Sequence, residues 1–271
     1  MDSIIAIANQ KGGVGKTTTA VSLSSALATL GHETLLIDMD PQGNATSGVG
    51  FDKRAFIPNL YNVLVELMPL EKTIKGASVP KLSVAGSNAD LAGAEIELVS
   101  ALARESRLRG ALSTIRGRFE YIVIDCPPSL GLLTINALNA SDRVIVPIQG
   151  EYYAMEGLAQ FVDAIRRIQS TINPRLLLEG GVLTMFDARM TLSNQVKDEV
   201  KKFFGDKLFN TIIPRNIRMA EAPGFGQTIF QYDPKSKGAE AYLAFAQELL
   251  SRLNVITPAP TVQQQPQPLE N

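Results

Sequence analysis

The sequence predicts an α/β protein with a doubly wound, mostly parallel sheet and helices on both faces. The first observation is a set of short, continuously apolar runs, which is typical of strands buried on both faces. The second is that stretches with helical periodicity separate most of these runs, as parallel strand connections require. The third is the composition of the 271 residues, of which 45% are hydrophobic and 20% are charged, as in an ordinary globular chain.

The predicted elements follow in chain order. Strands are expected at residues 3–8, 33–38, 121–125, 143–148, 181–186 and 208–213. Helices are expected at residues 16–30, 91–103, 105–115, 130–139, 153–171, 193–204 and 238–253. Residues 51–90 show no clear period and predict a less regular insertion. We therefore predict one domain over residues 1–256, followed by a disordered Pro/Gln-rich tail at 257–271, which offers almost nothing to bury.

Composition excludes several classes of protein. The single cysteine, Cys126, excludes a disulfide framework and an all-cysteine metal site within one chain. The net charge of −1 indicates no overall basic field. No apolar run reaches the roughly 18 residues of a membrane span, and no basic flank precedes the first strand. We expect a cytoplasmic protein that does not bind membranes.

Residues 11–18, KGGVGKTT, form a glycine-rich loop between a predicted strand and a predicted helix. Glycines allow successive backbone N–H groups to face one anion, and the helix N-terminus adds its positive dipole. Lys16 would contact the β- and γ-phosphates, and the Thr17 hydroxyl would bind Mg²⁺. The usual motif has Gly where Gln10 stands, so this is a variant with a second lysine, Lys11. The predicted nucleotide contacts are Lys11, Gly12, Gly13, Val14, Gly15, Lys16, Thr17 and Thr18.

Acidic residues end two further predicted strands. Asp125 follows the run YIVI, at the sheet edge where ligands bind in open α/β folds, and is predicted to support Mg²⁺. Asp38 and Asp40 lie in the string DMDPQGN at the end of the second strand, and alternation would place them on the same side. We favour Asp40 as the residue that orients the attacking water and lies at the metal, since a loop able to move follows it. For Asp38, a structural role and a direct role remain open.

The strings KGGVGKTT, DMDPQGN and IDCPPSLG together resemble the ParA/MinD group of deviant Walker ATPases. The resemblance runs from residue 4 to about residue 253, and PRNIRMAEAPGFG at 214–226 is similar to ParA proteins in particular. It implies that ATP is bound between two subunits and that Lys11 crosses to the partner's phosphates, with Gly12 at the dimer contact. It gives Lys11, Lys16 and Asp40 the catalytic roles. It also implies that the adenine lies against Pro214, Arg215 and Asn216.

The resemblance further implies that the ATP dimer binds double-stranded DNA without sequence preference on the nucleoid. A ParB-type partner would stimulate hydrolysis, and the ADP form would release the DNA. Arg189 and Arg218 match DNA-binding positions, and residues 166–237 contain twelve Lys/Arg against seven Asp/Glu. Lys201, Lys202, Lys235 and Lys237 are weaker candidates.

Alternatives within the group are weighed on the same residues. A MinD-like membrane helix is not expected in a segment of Pro and Gln, and one cysteine cannot supply a nitrogenase iron protein's share of its cluster. Only ten residues precede Lys11, so we expect no operator-reading extension. A nucleotide-gated regulator of replication initiation, or another MinD-like positioning ATPase, remains the alternative. The choice between chromosome and plasmid stays open.

Overall fold

The structure is a computed structural model that describes residues 3–150 and 154–255. Seven strands in this part of the chain form one sheet in the order β3-β4-β2-β5-β1-β6-β7. Every neighbouring pair is parallel except β3 with β4. The strands are β1 (Ser3–Ile7), β2 (Thr34–Asp38), β3 (Ile74–Gly76), β4 (Leu82–Ala85), β5 (Tyr121–Asp125), β6 (Arg143–Gln149) and β7 (Leu177–Thr184).

Helices cover both faces of this sheet, which confirms the predicted doubly wound class. They are α1 (Lys16–Thr29), α2 (Asn44–Gly48), α3 (Leu60–Leu64), α4 (Leu91–Glu97), α5 (Arg107–Ser113), α6 (Leu132–Ala140), α7 (Ala154–Thr171), α8 (Thr191–Phe204), α9 (Ile217–Glu221), α10 (Ile229–Tyr232) and α11 (Lys237–Val255). None of the described helices is long and apolar enough to cross a bilayer.

The core lies on both sides of the sheet because successive strand side chains point in opposite directions. On β1, Ile4 and Ala6 join the cluster under α3 to α8, whereas Ile5 and Ile7 join the cluster under α1 and α11. Each fully buried Ile or Leu side chain contributes about 1.5–3 kcal/mol of transfer free energy. Because both faces of the strands are buried, their sequences do not alternate between apolar and polar residues.

The expected strand at 208–213 does not form as a regular strand. The segment runs beside β7, and the N–H groups of Phe209 and Ile213 donate to the carbonyls of Gly181 and Leu183. The intervening Thr211 N–H donates to the Glu248 carboxylate of α11 at 2.8 Å. Because a side chain captures the donor that would continue the ladder, only isolated bridges remain.

The expected irregular insertion at 51–90 contains two strands of the sheet, β3 and β4, so that expectation is wrong in part. The β4 run has four residues, one of them Ser83, and is too short to show a period. The helix expected over 91–103 ends at Glu97 as α4, and a 3₁₀ turn, Leu98–Ser100, follows. The tail at 257–271 lies outside the described residues.

Candidate nucleotide-binding site

Sheet order brings the predicted site residues to one edge. Strands β2, β5 and β1 are neighbours, and their parallel register pairs Asp38 with Asp125 and Ile7 with Asp125. The glycine loop follows β1, and Asp40 lies just beyond the end of β2. The carboxyl ends of parallel strands open onto the crevice where such folds bind ligands.

The loop at residues 11–18 has the backbone that its glycines allow. Gly13 and Gly15 adopt φ values of 75° and 85°, a region that side chains disfavour. Val14 is buried, and its carbonyl accepts a hydrogen bond from the Thr184 hydroxyl at 2.8 Å. Gly12 differs, since it lies outside the left-handed region and an added Cβ would meet no atom of the described residues within 4 Å, its chain neighbours aside. The described part of the subunit therefore does not require glycine at position 12.

Lys16 begins α1 and is almost completely buried. Its ammonium donates a hydrogen bond to the Lys11 carbonyl at 2.7 Å, which closes the loop on itself. Burial lowers the pKa of Lys16 from its usual value, and the negative charges of Asp125 and Asp40 oppose that effect. The cation is therefore held inside the loop and next to both acids.

The carboxylate of Asp125 is fully buried, and neither of its oxygens has a hydrogen-bond partner. Burial first, and then the charge of Asp38, raise the pKa of Asp125 well above its ordinary value. The Thr17 hydroxyl lies close enough to oppose this rise, although no hydrogen bond of normal geometry joins the two groups. A divalent cation would satisfy these oxygens. No group of three His, Cys, Asp or Glu side chains in the described residues could hold a metal ion without other ligands, so such a cation would also need Thr17 and phosphate oxygens.

A buried hydrogen-bond network holds the backbone of Asp40. Its N–H donates to Asp38 at 3.2 Å, and its carbonyl accepts from the Ser87 hydroxyl at 2.6 Å. The Thr46 hydroxyl links the two by donating to Asp38 at 2.7 Å and accepting from the Ser87 N–H at 3.0 Å. The side chain of Asp40 accepts from the Gln42 N–H at 2.9 Å. Asp38 thus anchors the backbone of this loop, which is the structural role expected for it, and a direct role stays a prediction.

Burial raises the pKa of Asp38 to about 6, and hydrogen bonds from Thr46 and Asp40 limit that rise. These donors stabilise the ionised form, so the carboxylate can remain an acceptor near neutral pH. Sequence reasoning missed Thr46 and Ser87. Neither residue belongs to a recognisable sequence motif, and Ser87 lies in residues 51–90, which the sequence predicts to be irregular.

The segment expected at the adenine lies beside the extension of β7. Pro214 forms an isolated bridge with Phe186, and the Arg215 N–H donates to the Phe186 carbonyl at 3.0 Å. Asn216 caps α9 by accepting from the Arg218 N–H at 2.8 Å. Because Thr184 of β7 contacts the glycine loop, the fold brings this segment to the flank of the site.

A cleft of about 430 Å³ opens next to Thr17 and Thr18, a volume within the usual range of small-molecule sites. Sequence reasoning did not find it, since its walls come from three separate stretches of ordinary residues. The lining residues are Thr17, Thr18, Val21, Ser22, Asn44, Ser47, Gly48, Lys53, Met219, Ala222, Pro223, Gly224, Gln227, Thr228 and Ile229.

Both arginines expected at DNA lie on the surface and are paired with carboxylates. Arg189 donates through two nitrogens to Asp187, at 2.9 and 2.6 Å. This contact lowers the pKa of Asp187 to about 2. Arg218 forms ion pairs with Glu221 at 3.0 Å and with Asp233 at 3.6 Å. A bound phosphate would have to compete with these acids.

Comparison with known proteins shows the family of this chain. A family model described as an AAA domain matches residues 2–178. The chain is 53% identical to the sporulation initiation inhibitor protein Soj of Bacillus subtilis, over 92% of this chain and 98% of that protein. It is 49% identical to the chromosome partitioning protein ParA of Caulobacter vibrioides, over 92% of this chain and 94% of that protein.

A solved structure is also similar over nearly the whole chain. It is the cobyrinic acid a,c-diamide synthase of Mycobacterium smegmatis, which was crystallised with ADP and magnesium. The TM-score is 0.84 at 37% identity, covering 97% of this chain and 100% of that one.

The parallel sheet, the glycine loop with two lysines and the acids at the ends of β2 and β5 define a P-loop nucleotide-binding protein of the deviant Walker class. Within that class, the chain belongs to the ParA/Soj family of chromosome-partitioning proteins.

Proposed function

We propose that this chain is a Mg²⁺-dependent ATPase of chromosome partitioning. The observation that carries the proposal is the buried, unpartnered carboxylate of Asp125 facing Thr17 at the start of a glycine-rich phosphate loop. An uncompensated buried carboxylate is costly unless a cation completes it. Bound Mg²⁺ would neutralise phosphate charge, and Thr17 and Asp125 would hold it.

Different groups of the loop would then contact different parts of the triphosphate. Backbone N–H groups of residues 12–17 would bind phosphate oxygens, and Lys16 would turn its ammonium from the Lys11 carbonyl to the terminal phosphates. Asp40 would orient the attacking water, while Asp38 and Ser87 keep its backbone in place. Pro214, Arg215 and Asn216 would contact the base.

We propose further that ATP closes two subunits into a dimer. The open space at Gly12 supports this, because nothing in residues 3–150 and 154–255 explains a residue without a side chain there. A partner backbone or phosphate approaching that point would explain it. Lys11 would then contact the phosphates of the partner subunit.

The dimer would bind double-stranded DNA on the nucleoid through Arg189 and Arg218, and two copies of this basic surface would act together. A ParB-type protein would stimulate hydrolysis, after which the ADP form releases DNA. The names of the relatives and the net charge of +5 over residues 166–237 support the proposed binding of DNA.

The test is an ATPase assay with DNA and the ParB-type partner, separately and together. The wild type should show a low basal rate that rises several-fold with both, and Asp40→Ala should lose the rise while still binding ATP. Lys16→Ala should lose ATP binding itself. Normal segregation of chromosomes in an Asp40→Ala strain would contradict this function and favour a nucleotide-gated regulator of replication initiation.

A further inference from the structure

Helix α4 and the 3₁₀ turn that follows it, Leu98–Ser100, have apolar side chains on two opposite sides. Leu91, Ala94 and Leu98 are buried in the core. Ile96 is 77% exposed and Val99 is 57% exposed, and they lie three residues apart on the outer side. Leu102, just beyond the 3₁₀ turn, is 89% exposed. A surface helix normally carries polar residues on its outer side, so a second apolar side indicates a contact with another molecule.

The charge around these side chains is mostly negative. Among the described residues, the guanidinium of Arg104 contacts this segment, where it donates to the Val99 carbonyl and is paired with Glu105 at 2.8 Å. From residue 82 to residue 103 the sequence contains Asp90, Glu95 and Glu97 but no Lys or Arg. Glu97 accepts a hydrogen bond from the Tyr61 hydroxyl of α3 at 3.1 Å. Glu66 and Asp90 act on the same phenol, since their charges add to the rise in its pKa that the Glu97 hydrogen bond causes. Glu97, Glu66 and Asp90 therefore lie near Tyr61, whereas the Glu95 carboxylate is directed toward Gly131.

Helix α4 lies close to the two segments of the nucleotide site that contain Asp125 and Asp40. A Cβ added at Gly131, in the segment that follows Asp125, would lie 2.0 Å from the Glu95 carboxylate. Ser87, which donates to the Asp40 carbonyl, stands four residues before the start of α4. A molecule that binds α4 is thus placed to shift the segments that hold Asp125 and Asp40.

We propose that the α4 surface, defined as Ile96, Val99 and Leu102 with Asp90 and Glu97, binds a segment of the ParB-type activator that carries both apolar and cationic side chains. This rests on the proposed function, which supplies the activator but not its site. Nucleic acid is excluded as the occupant because it shares the sign of the surface charge. A second copy of the chain would bring two acidic surfaces together, which costs free energy.

The test compares binding of the full-length ParB-type protein to the ATP-bound wild type and to Ile96→Ser/Leu102→Ser. Both side chains are exposed, so the fold should be kept. We expect about tenfold weaker binding or more, a matching loss of stimulated ATPase, and an unchanged basal rate. Leu177→Ser, at a 47% exposed leucine on β7 at the other edge of the sheet, is the matched control and should behave as wild type.

A second variant tests the charge. Glu97→Lys should weaken binding at low salt, and the difference from wild type should shrink as salt increases. Wild-type binding of the partner by Ile96→Ser/Leu102→Ser would overturn the proposal. Loss of the ATP-dependent dimer in that variant would also overturn it, because a second copy of the chain would then be the occupant of the α4 surface. If the wild type itself fails to bind the partner, the activator part of the proposed function fails together with this site.

Discussion

At the scale of single residues, the central feature is a buried carboxylate that the folded chain leaves unsatisfied. Asp125 sits next to Asp38 in the sheet register and has no hydrogen-bond partner. Asp38 is buried to the same degree, yet it accepts hydrogen bonds from Thr46 and Asp40. Two equally buried aspartates therefore differ in their hydrogen-bond partners. Only Asp125, which has none, is free to bind a cation through both of its oxygens.

This difference predicts a pH-dependent change in stability for Asp125→Asn. The pKa of Asp125 is higher in the folded than in the unfolded protein, so the free energy of unfolding falls as pH rises through that interval. At pH 7 the variant without nucleotide should be more stable than wild type by about 1–3 kcal/mol. Near pH 4 the difference should approach zero, because Asp125 is then protonated.

Urea unfolding of both proteins without nucleotide, at pH 4 and pH 7, measures this difference. The same variant should bind Mg²⁺-ATP more weakly, since it lacks the charge for the metal. Equal or lower stability of the variant at pH 7 would mean that the buried carboxylate carries no penalty.

At the scale of the elements, the loop between β1 and α1 combines two requirements for glycine. Gly13 and Gly15 are needed for the backbone, which turns through positive φ so that N–H groups converge. Gly12 has no positive φ, and no described residue outside its chain neighbours comes within 4 Å of an added Cβ. The folded subunit itself requires glycine at positions 13 and 15. Glycine at position 12 is required by the molecule that approaches the loop.

Substitutions to valine should separate these two requirements. Gly13→Val should lower the free energy of unfolding by about 1–2 kcal/mol or more, because a branched side chain is strained at that φ. Gly12→Val should change it by less than about 0.5 kcal/mol and keep ATP binding, yet form no ATP dimer. Urea unfolding and light scattering with a non-hydrolysable ATP analogue measure the two effects. A Gly12→Val dimer would refute the steric explanation.

At the scale of the whole molecule, a nearly neutral chain separates its charge. Residues 166–237 have a net charge of +5, whereas residues 82–103, which include α4, contain three acidic residues and no Lys or Arg. The basic stretch begins beside β7, at the opposite edge of the sheet from β3 and β4, and its later residues 222–232 pack against α1 and α2. Such separation along the chain allows one molecule to present a basic surface to DNA and an acidic surface to a cationic partner.

The carboxylate partners of the two arginines lead to a paired prediction. Arg189→Ala/Arg218→Ala should weaken binding to double-stranded DNA in ATP and reduce the slope of log affinity against log salt by about 2. Asp187→Asn/Glu221→Gln should strengthen DNA binding, because it removes the acids that compete for the same arginines. Fluorescence anisotropy over a range of salt concentrations measures both. Wild-type affinity and slope in the double alanine variant would remove both arginines from the DNA site.

Local chemistry explains which parts could be predicted. The loop at 11–18 and the acids that end β2 and β5 are recognisable because each lies in one short stretch whose residue types suit only a few roles. Ser87 could not be found, because its contact with Asp40 spans 47 residues and depends on β4 pairing with β2. The strand expected at 208–213 is wrong for the same reason, since Glu248 of α11 accepts hydrogen bonds from the N–H groups of Asn210 and Thr211.

The sequence by itself determined the class of sheet, the phosphate loop and the identity of the acids, because periodicity and glycine placement act over a few neighbouring residues. Tertiary structure alone decided that Asp38 is satisfied and Asp125 is not, that Gly12 faces open space, and that α4 leaves apolar side chains exposed. Those properties depend on which distant groups the strand order brings into contact, and no local pattern encodes that order.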